Sequence, residues 1–159
     1  MKKTKLSANT LMKEYGMPNY KSGRASLRYK NPIEKGIAWY WFAHFIRKRD
    51  AIKWGTCISC GQRKTFEEMD AGHFAPAGDC GLDLLMDEVN VNGECQRCNA
   101  WDEAHLWGYE KNLDTRYGTG TASELKKRYS ARFGTITKGI NWSAKALEYK
   151  AKFEKLSTD

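Results

Sequence analysis

Long apolar runs are missing from this sequence. No stretch of its 159 residues approaches the roughly 18 consecutive apolar residues that a membrane-spanning helix needs. The opening MKKTKLSANTLMKEYG also lacks the apolar core of a secretory signal. Both absences predict a cytoplasmic protein with no membrane partner. Acidic residues are in short supply as well: 19 Asp and Glu stand against 27 Lys and Arg, a formal charge of +8. Such an excess suits a polyanion, nucleic acid before membrane, although a basic surface also serves solubility alone. Internal repeats and low-complexity tracts are absent, and the length predicts a single domain with a core of its own.

The five cysteines are poor disulfide material in a reducing cytosol. Four of them form two CxxC pairs: CISC gives Cys57 and Cys60, CQRC gives Cys95 and Cys98, and 34 residues separate the pairs. Each tight turn aims two thiolates at one point, and two such turns close a tetrahedral shell. Structural Zn²⁺ fits that shell best, because a catalytic zinc keeps an open position. An iron–sulfur cluster and a redox dithiol fit less well. Cys80 stands outside the pattern as a small hydrophobe or loop thiol.

Residues 1–32 are basic and interrupted by GMPNY, KSG and KNP, which predicts an arm with little packed structure and one short helix near Leu11. From Ile33 to Asp50, Ile37, Trp41 and Phe45 recur at helical spacing beside Ala38, Phe42 and Ile46, an amphipathic helix. Arg47, Lys48 and Arg49 fall in its last turn, where cations suit the dipole and can also face phosphates. His44, among aromatics, reads as a packed residue. A hairpin is predicted from a strand over 68–74 and a second over 89–93, with a helix opening at the second CxxC. The core thus spans 33–120. A helical extension follows over 121–159, with a Thr121/Glu124 capping box, a Ser143 cap, and Lys126, Lys127, Arg128 and Arg132 as a basic surface.

Three residues between and just after the cysteines carry chemistry: His73 in EEMDAGHFAP, Asn90, and Asn99 directly after Cys98. An imidazole, with its ordinary pKa of about 6.5, can accept a proton near neutrality. Asn99 reads equally well as a side-chain carbonyl ligand and as a helix N-cap. Asn90 also reads as a turn residue. Glu103 lies four residues after Asn99, on the same helical face, and otherwise reads as a solvated acid.

The set FIRKRD…CISCG…DAGHF…DEVNVNGECQRCN, from about Phe42 to Gly108, resembles the phage NinG (Rap) recombination-nuclease family. That family is a zinc-supported form of the HNH or His-Me finger (ββα-metal) nucleases and is similar to phage endonuclease VII. The resemblance implies an α+β fold in which a hairpin, a helix and a four-cysteine zinc site are embedded in flanking α-helices. It implies His73 as general base and Asn90 as the residue holding its segment. Asp70, Asn99 and Glu103 would ligate a catalytic Mg²⁺ or Mn²⁺.

The implied activity is metal-dependent, structure-selective cleavage of branched DNA such as Holliday junctions or joint molecules, in the cytoplasm of a phage host. A two-fold junction would suit a homodimer, and Arg47, Lys48, Arg49, Lys126, Lys127 and Arg128 would bind nucleic acid. Asp70 poses a geometric difficulty. Residues three apart on a regular strand face opposite sides, so Asp70 joins His73 only if the strand bulges at Gly72. On an unbroken strand Asp70 reads as a structural acid, with Asp79, Asp83, Asp87 and Glu88 in reserve. The competing reading is a non-catalytic zinc module that binds nucleic acid.

Overall fold

A computed structural model of the protein describes residues 7–18, 27, 32–78, 82–101, 105–132 and 139–156. The chain forms two compact units, one from Met1–Phe45 with Ile140–Asp159 and the other from Ile46–Gly139.

In the first unit, helix α1 (Ala8–Glu14) starts where the Ser7 hydroxyl accepts the Thr10 N–H at 3.2 Å. The part of helix α2 (Ile33–Lys53) that belongs here buries Ile37, Ala38, Trp41, Phe42 and Phe45. Helix α7 (Trp142–Lys155) contributes Ala146 and Tyr149. Phe42 meets the Tyr149 ring edge-on at 4.8 Å and Trp41 meets Phe153 at 5.7 Å. Met12 and Met17 are buried too, and Trp41 Nε1 donates to the Tyr15 carbonyl at 3.1 Å. The described part of the N-terminal arm is therefore packed, because its two methionines bring apolar area that basic composition conceals. His44 donates from Nδ1 to the Tyr40 carbonyl at 2.8 Å, as a packed helix histidine does. The cap of α7 is Asn141, which accepts the Ala144 N–H at 3.0 Å, and not Ser143.

Helix α2 also runs one turn further than its sequence pattern predicts. It ends where Gly55, at φ 62°, turns its N–H onto the Asp50 carbonyl. Arg47, Lys48 and Arg49 are thus interior, and Lys53 holds the last-turn position.

The second unit holds a 3₁₀ turn (Phe66–Glu68), strand β1 (Met69–His73), a one-turn helix α3 (Leu82–Leu85) and strand β2 (Val91–Cys95). Helices α4 (Gln96–Trp101), α5 (His105–Tyr117) and α6 (Thr121–Arg132) follow. The strands pair antiparallel with one-for-one register from Met69↔Cys95 to His73↔Val91. A bulge at Gly72 is therefore absent, and Asp70 and His73 leave opposite faces of β1.

The second strand starts two residues later than expected. Asp87 Oδ1 accepts the N–H groups of Val89 and Asn90 at 2.8 and 2.9 Å, which converts the start of VNVNG into a turn. The capping box predicted for α6 is replaced by Asp114, whose carboxylate accepts the N–H groups of Ala122 and Gly120 at 3.0 and 3.2 Å. Thr121 instead donates its hydroxyl to the Gly118 carbonyl.

A two-stranded hairpin is marginal by itself, and here both faces of β2 are buried. Tyr109 of α5, fully buried, meets it through the Asn92 side-chain amide, which donates to the Tyr109 hydroxyl at 3.3 Å. The Tyr109 hydroxyl donates to the Gly72 carbonyl at 2.7 Å.

Candidate functional site

The two knuckles come together as their spacing implies. Gly61, at φ 71°, closes the first turn, with its N–H on the Cys57 carbonyl at 3.0 Å. Ile58 N–H reaches the Gly93 carbonyl at 3.0 Å, docking that turn on β2. Helix α5 braces the other side: Asn112 donates to the Ile58 carbonyl at 2.6 Å and Arg116 to the Thr56 carbonyl at 2.8 Å. Gly108 permits this approach, since a Cβ there would overlap the Ser59 carbonyl.

The sulfurs of Cys57, Cys60, Cys95 and Cys98 lie within 4.8 Å of one another, and Cys60 Sγ is 3.9 Å from Cys95 Sγ. Four thiolates on a tetrahedral zinc, with Zn–S of about 2.3 Å, sit about 3.8 Å apart. The cluster could hold a zinc ion. Burial pushes the Cys57 thiol up to about 11. It pushes Cys98 higher still, helped by the Cys95 thiol and the charge of Cys57. Cys95 is the exception: the Cys98 N–H and its own thiol neighbours outweigh burial and lower it. A bound cation would draw the protons from the raised thiols, since thiolate is the form that ligates a metal.

The hairpin presents a second polar cluster on the face shared by Asp70, Gly72 and Glu94. Asn99, on α4 directly after Cys98, donates from Nδ2 to Asp70 Oδ2 at 3.3 Å. Asp70 is the cross-strand partner of Glu94. Glu94 is fully buried and accepts hydrogen bonds on Oε1 from Ser59 Oγ and from His105 Nδ1, the latter at 2.7 Å. Burial first, and then the charge of Asp70, holds the Glu94 carboxyl above the usual range against the opposing bonds from Ser59 and His105. Gly72 fits here by lacking a side chain: a Cβ would overlap Glu94 Oε2 and stand 3.2 Å from Asn99 Oδ1. Close approach, and not a bend, is what glycine provides in DAGH.

His73 stands at the end of β1, on the other face. Its Nε2 donates to the Leu85 carbonyl at 2.9 Å. A carbonyl only accepts, so Nε2 carries the proton and the neutral ring has its lone pair on Nδ1. Asn90 fixes the loop that supplies this carbonyl. Fully buried, it accepts the Ala75 N–H at 2.7 Å and donates to the carbonyls of Ala75 and Leu84 at 3.2 and 2.9 Å.

Residues 18–159 match the family described as bacteriophage lambda NinG protein. The chain belongs to the NinG family. No curated protein and no solved structure matches it. In this NinG family member no helix among the described residues is long and apolar enough to cross a membrane. Glu103, expected on the ion, lies outside the described residues, as do Asp79 and Cys80.

The cationic residues expected on nucleic acid divide sharply. Arg49 is turned inward: its guanidinium donates to Asp50 and to the carbonyls of Glu88 and Val91, at 2.7, 2.7 and 3.3 Å. Arg47 donates to the Phe66 carbonyl at 3.0 Å and lies over that ring. These two arginines, expected on DNA, are fasteners of the fold. Lys126 pairs with Glu110 at 2.8 Å and Arg128 with Asp87 at 2.9 Å, while Lys127 is exposed. Asp83 and Asp87, held in reserve as ligands, are thereby partners of Arg128.

Sequence reading missed three residues that matter. Asp50, fully buried, accepts the Gly93 N–H at 2.6 Å and ties α2 to β2. Tyr109 bonds Gly72 and Asn90, and Glu94 faces Asp70. Only for Asp50 did a signal exist, since an acid following RKR at a helical core register is out of place on a solvated face.

Proposed function

We propose that this NinG family protein is a metal-dependent, structure-selective DNA endonuclease acting on branched recombination intermediates, Holliday-type junctions among them. The observation that carries the reading is the meeting of Asp70 and Asn99: oxygen-bearing side chains from hairpin and helix converge beside a four-cysteine brace. Hard divalent cations are bound by such oxygens. The residues fit the ion on a second count, since the buried Glu94 Oε2 has no hydrogen-bond partner among the described residues. A bound Mg²⁺ or Mn²⁺ would stabilise charge on the non-bridging and leaving oxygens of the phosphodiester.

His73 is the general base in this reading. Its Nε2 is tied to Leu85, so Nδ1 takes the proton of the attacking water. In-line displacement sets the attacking and leaving oxygens on opposite sides of phosphorus. A base and a leaving-group ion therefore do not need to share one face of β1, and this is the ground on which Asp70 is kept as a ligand although the strand does not bulge at Gly72. The basic excess of the chain supplies affinity for phosphates, with the exposed Lys127 as a contact. Branch preference is an extension from the NinG family resemblance, and a homodimer would suit a two-fold junction.

Nicking of four-way, flap and linear DNA with Mg²⁺ or Mn²⁺ tests the proposal. His73→Ala is expected to cut about 10²–10⁴-fold more slowly while still binding the junction. Undiminished cutting by that variant, or no cutting by the wild type, would favour the alternative of a non-catalytic zinc module that binds nucleic acid.

A further inference from the structure

The two oxygens of Glu94 are treated unequally. Oε1 is doubly engaged, by the hydroxyl of Ser59 and by His105. Oε2 is shielded from solvent and has no hydrogen-bond partner among the described residues. An unmade interaction on a buried charged group is among the more costly polar defects in a folded chain. Native structures keep such defects where an ion or water completes them.

The position of Oε2 identifies what would complete it. The missing Cβ of Gly72 lets Glu94 Oε2 come in against the backbone of β1, and Asn99 Oδ1 borders the same point. The two oxygens are therefore neighbours beside the Gly72 backbone. Asn99 is bonded in turn to Asp70, and Asp70 sits opposite Glu94 in the ladder. Glu94 Oε2 and Asn99 Oδ1 thus border one point, and the Asp70 carboxylate, bonded to the Asn99 amide nitrogen, lies on the same face of the hairpin.

We propose that Glu94, through Oε2, is a third oxygen ligand of the divalent cation that Asp70 and Asn99 bind. The inference rests on the endonuclease reading and deepens it. Two carboxylates and one neutral oxygen match the hard, partly hydrated coordination of Mg²⁺ and Mn²⁺, with room left for water and phosphate. Ser59 and His105 are then positioning residues, since each holds Oε1 and so aims Oε2. Ser59 lies between the cysteines of CISC, so the zinc knuckle orients a ligand of the second ion. Such outer contacts are a usual means of fixing a metal ligand.

Binding of Mn²⁺ alone to the zinc-loaded full chain, followed by the electron paramagnetic resonance of free Mn²⁺, tests this without DNA. The wild type is expected to take up Mn²⁺, and Glu94→Gln to bind it at least about tenfold more weakly with its zinc content unchanged. Glu94→Asp keeps the charge but withdraws the oxygen, and is expected to weaken binding as well. It decides the matter if Glu94→Gln fails to retain zinc. Wild-type Mn²⁺ affinity in both zinc-retaining variants, with loss in Asp70→Asn, would overturn the role of Glu94 and leave the Asp70–Asn99 site standing. A wild type that binds no Mn²⁺ would overturn both.

Discussion

Replacing Asn90 by alanine is expected to loosen the loop that holds the histidine, and the structure sets the size of the effect. Asn90 is fully buried and makes one accepted and two donated hydrogen bonds to Ala75 and Leu84. A buried bond contributes about 0.5–1.5 kcal/mol, and a stranded buried partner costs about 1–3 kcal/mol. Alanine strands one N–H and two carbonyls, but the loop can relax toward water at part of that loss, so about 3 kcal/mol is expected in all. With a urea dependence of about 2 kcal/mol per molar, the unfolding midpoint falls by about 1.5 M.

The amide of Ala75 should lose its exchange protection first, because its acceptor is gone. Function should suffer beyond stability: Leu85, which fixes the His73 tautomer, follows directly on Leu84. Asn90→Asp sharpens the test. It keeps the bond from Ala75 N–H but sets a carboxylate oxygen against two carbonyls, so it is expected to destabilise as much as alanine. A midpoint within about 0.5 M of wild type for both variants, by urea titration of the zinc-loaded protein, would refute the reasoning.

Gly108→Ala drives a Cβ into the Ser59 carbonyl. At about 2 kcal/mol of overpacking, the melting temperature is expected to fall by about 4–8 °C in a chain of this size, whereas an unchanged melting curve would show that the helix and knuckle do not approach as described. Asp50→Ala removes the acceptor of Gly93 N–H and the partner of Arg49. Chemical denaturation should report a loss of about 3–5 kcal/mol, the usual result of breaking a buried pair. Asp114 is held below the usual carboxylate range by the N–H groups of Ala122 and Gly120. Its contribution is present above its unfolded pKa of about 3.9 and is lost as pH falls through the lower folded value. Acid titration of stability should therefore be shallower below about pH 4 in Asp114→Asn, and equal slopes would contradict the cap.

The apolar spacing in α2 is written in the chain, because burial selects one helical face whatever packs against it. Ile37, Trp41, Phe42 and Phe45 are buried as that spacing predicts. The cysteine cluster was equally legible: each CxxC is a local turn, and only the joining of two turns needs the fold. Strand limits were less so, since Asp87 decides where β2 begins by a side-chain bond that competes with the ladder. The internal partners of Arg47 and Arg49 were illegible for the same reason. A run of cations looks like a solvated surface until tertiary partners, here the Phe66, Glu88 and Val91 carbonyls, are known.

By itself the sequence determined the helical faces, the four thiolates and the residue types at the hairpin, because those follow from local spacing and chemistry. What only the tertiary structure decided is which of them share a face. One-for-one pairing of β1 with β2 puts Asp70 beside Glu94 and Asn99, turns His73 to the other side, and gives Gly72 its place as the gap into which a buried carboxylate fits. Pairing register is set by contacts between segments distant in the chain, and no period within either strand encodes it.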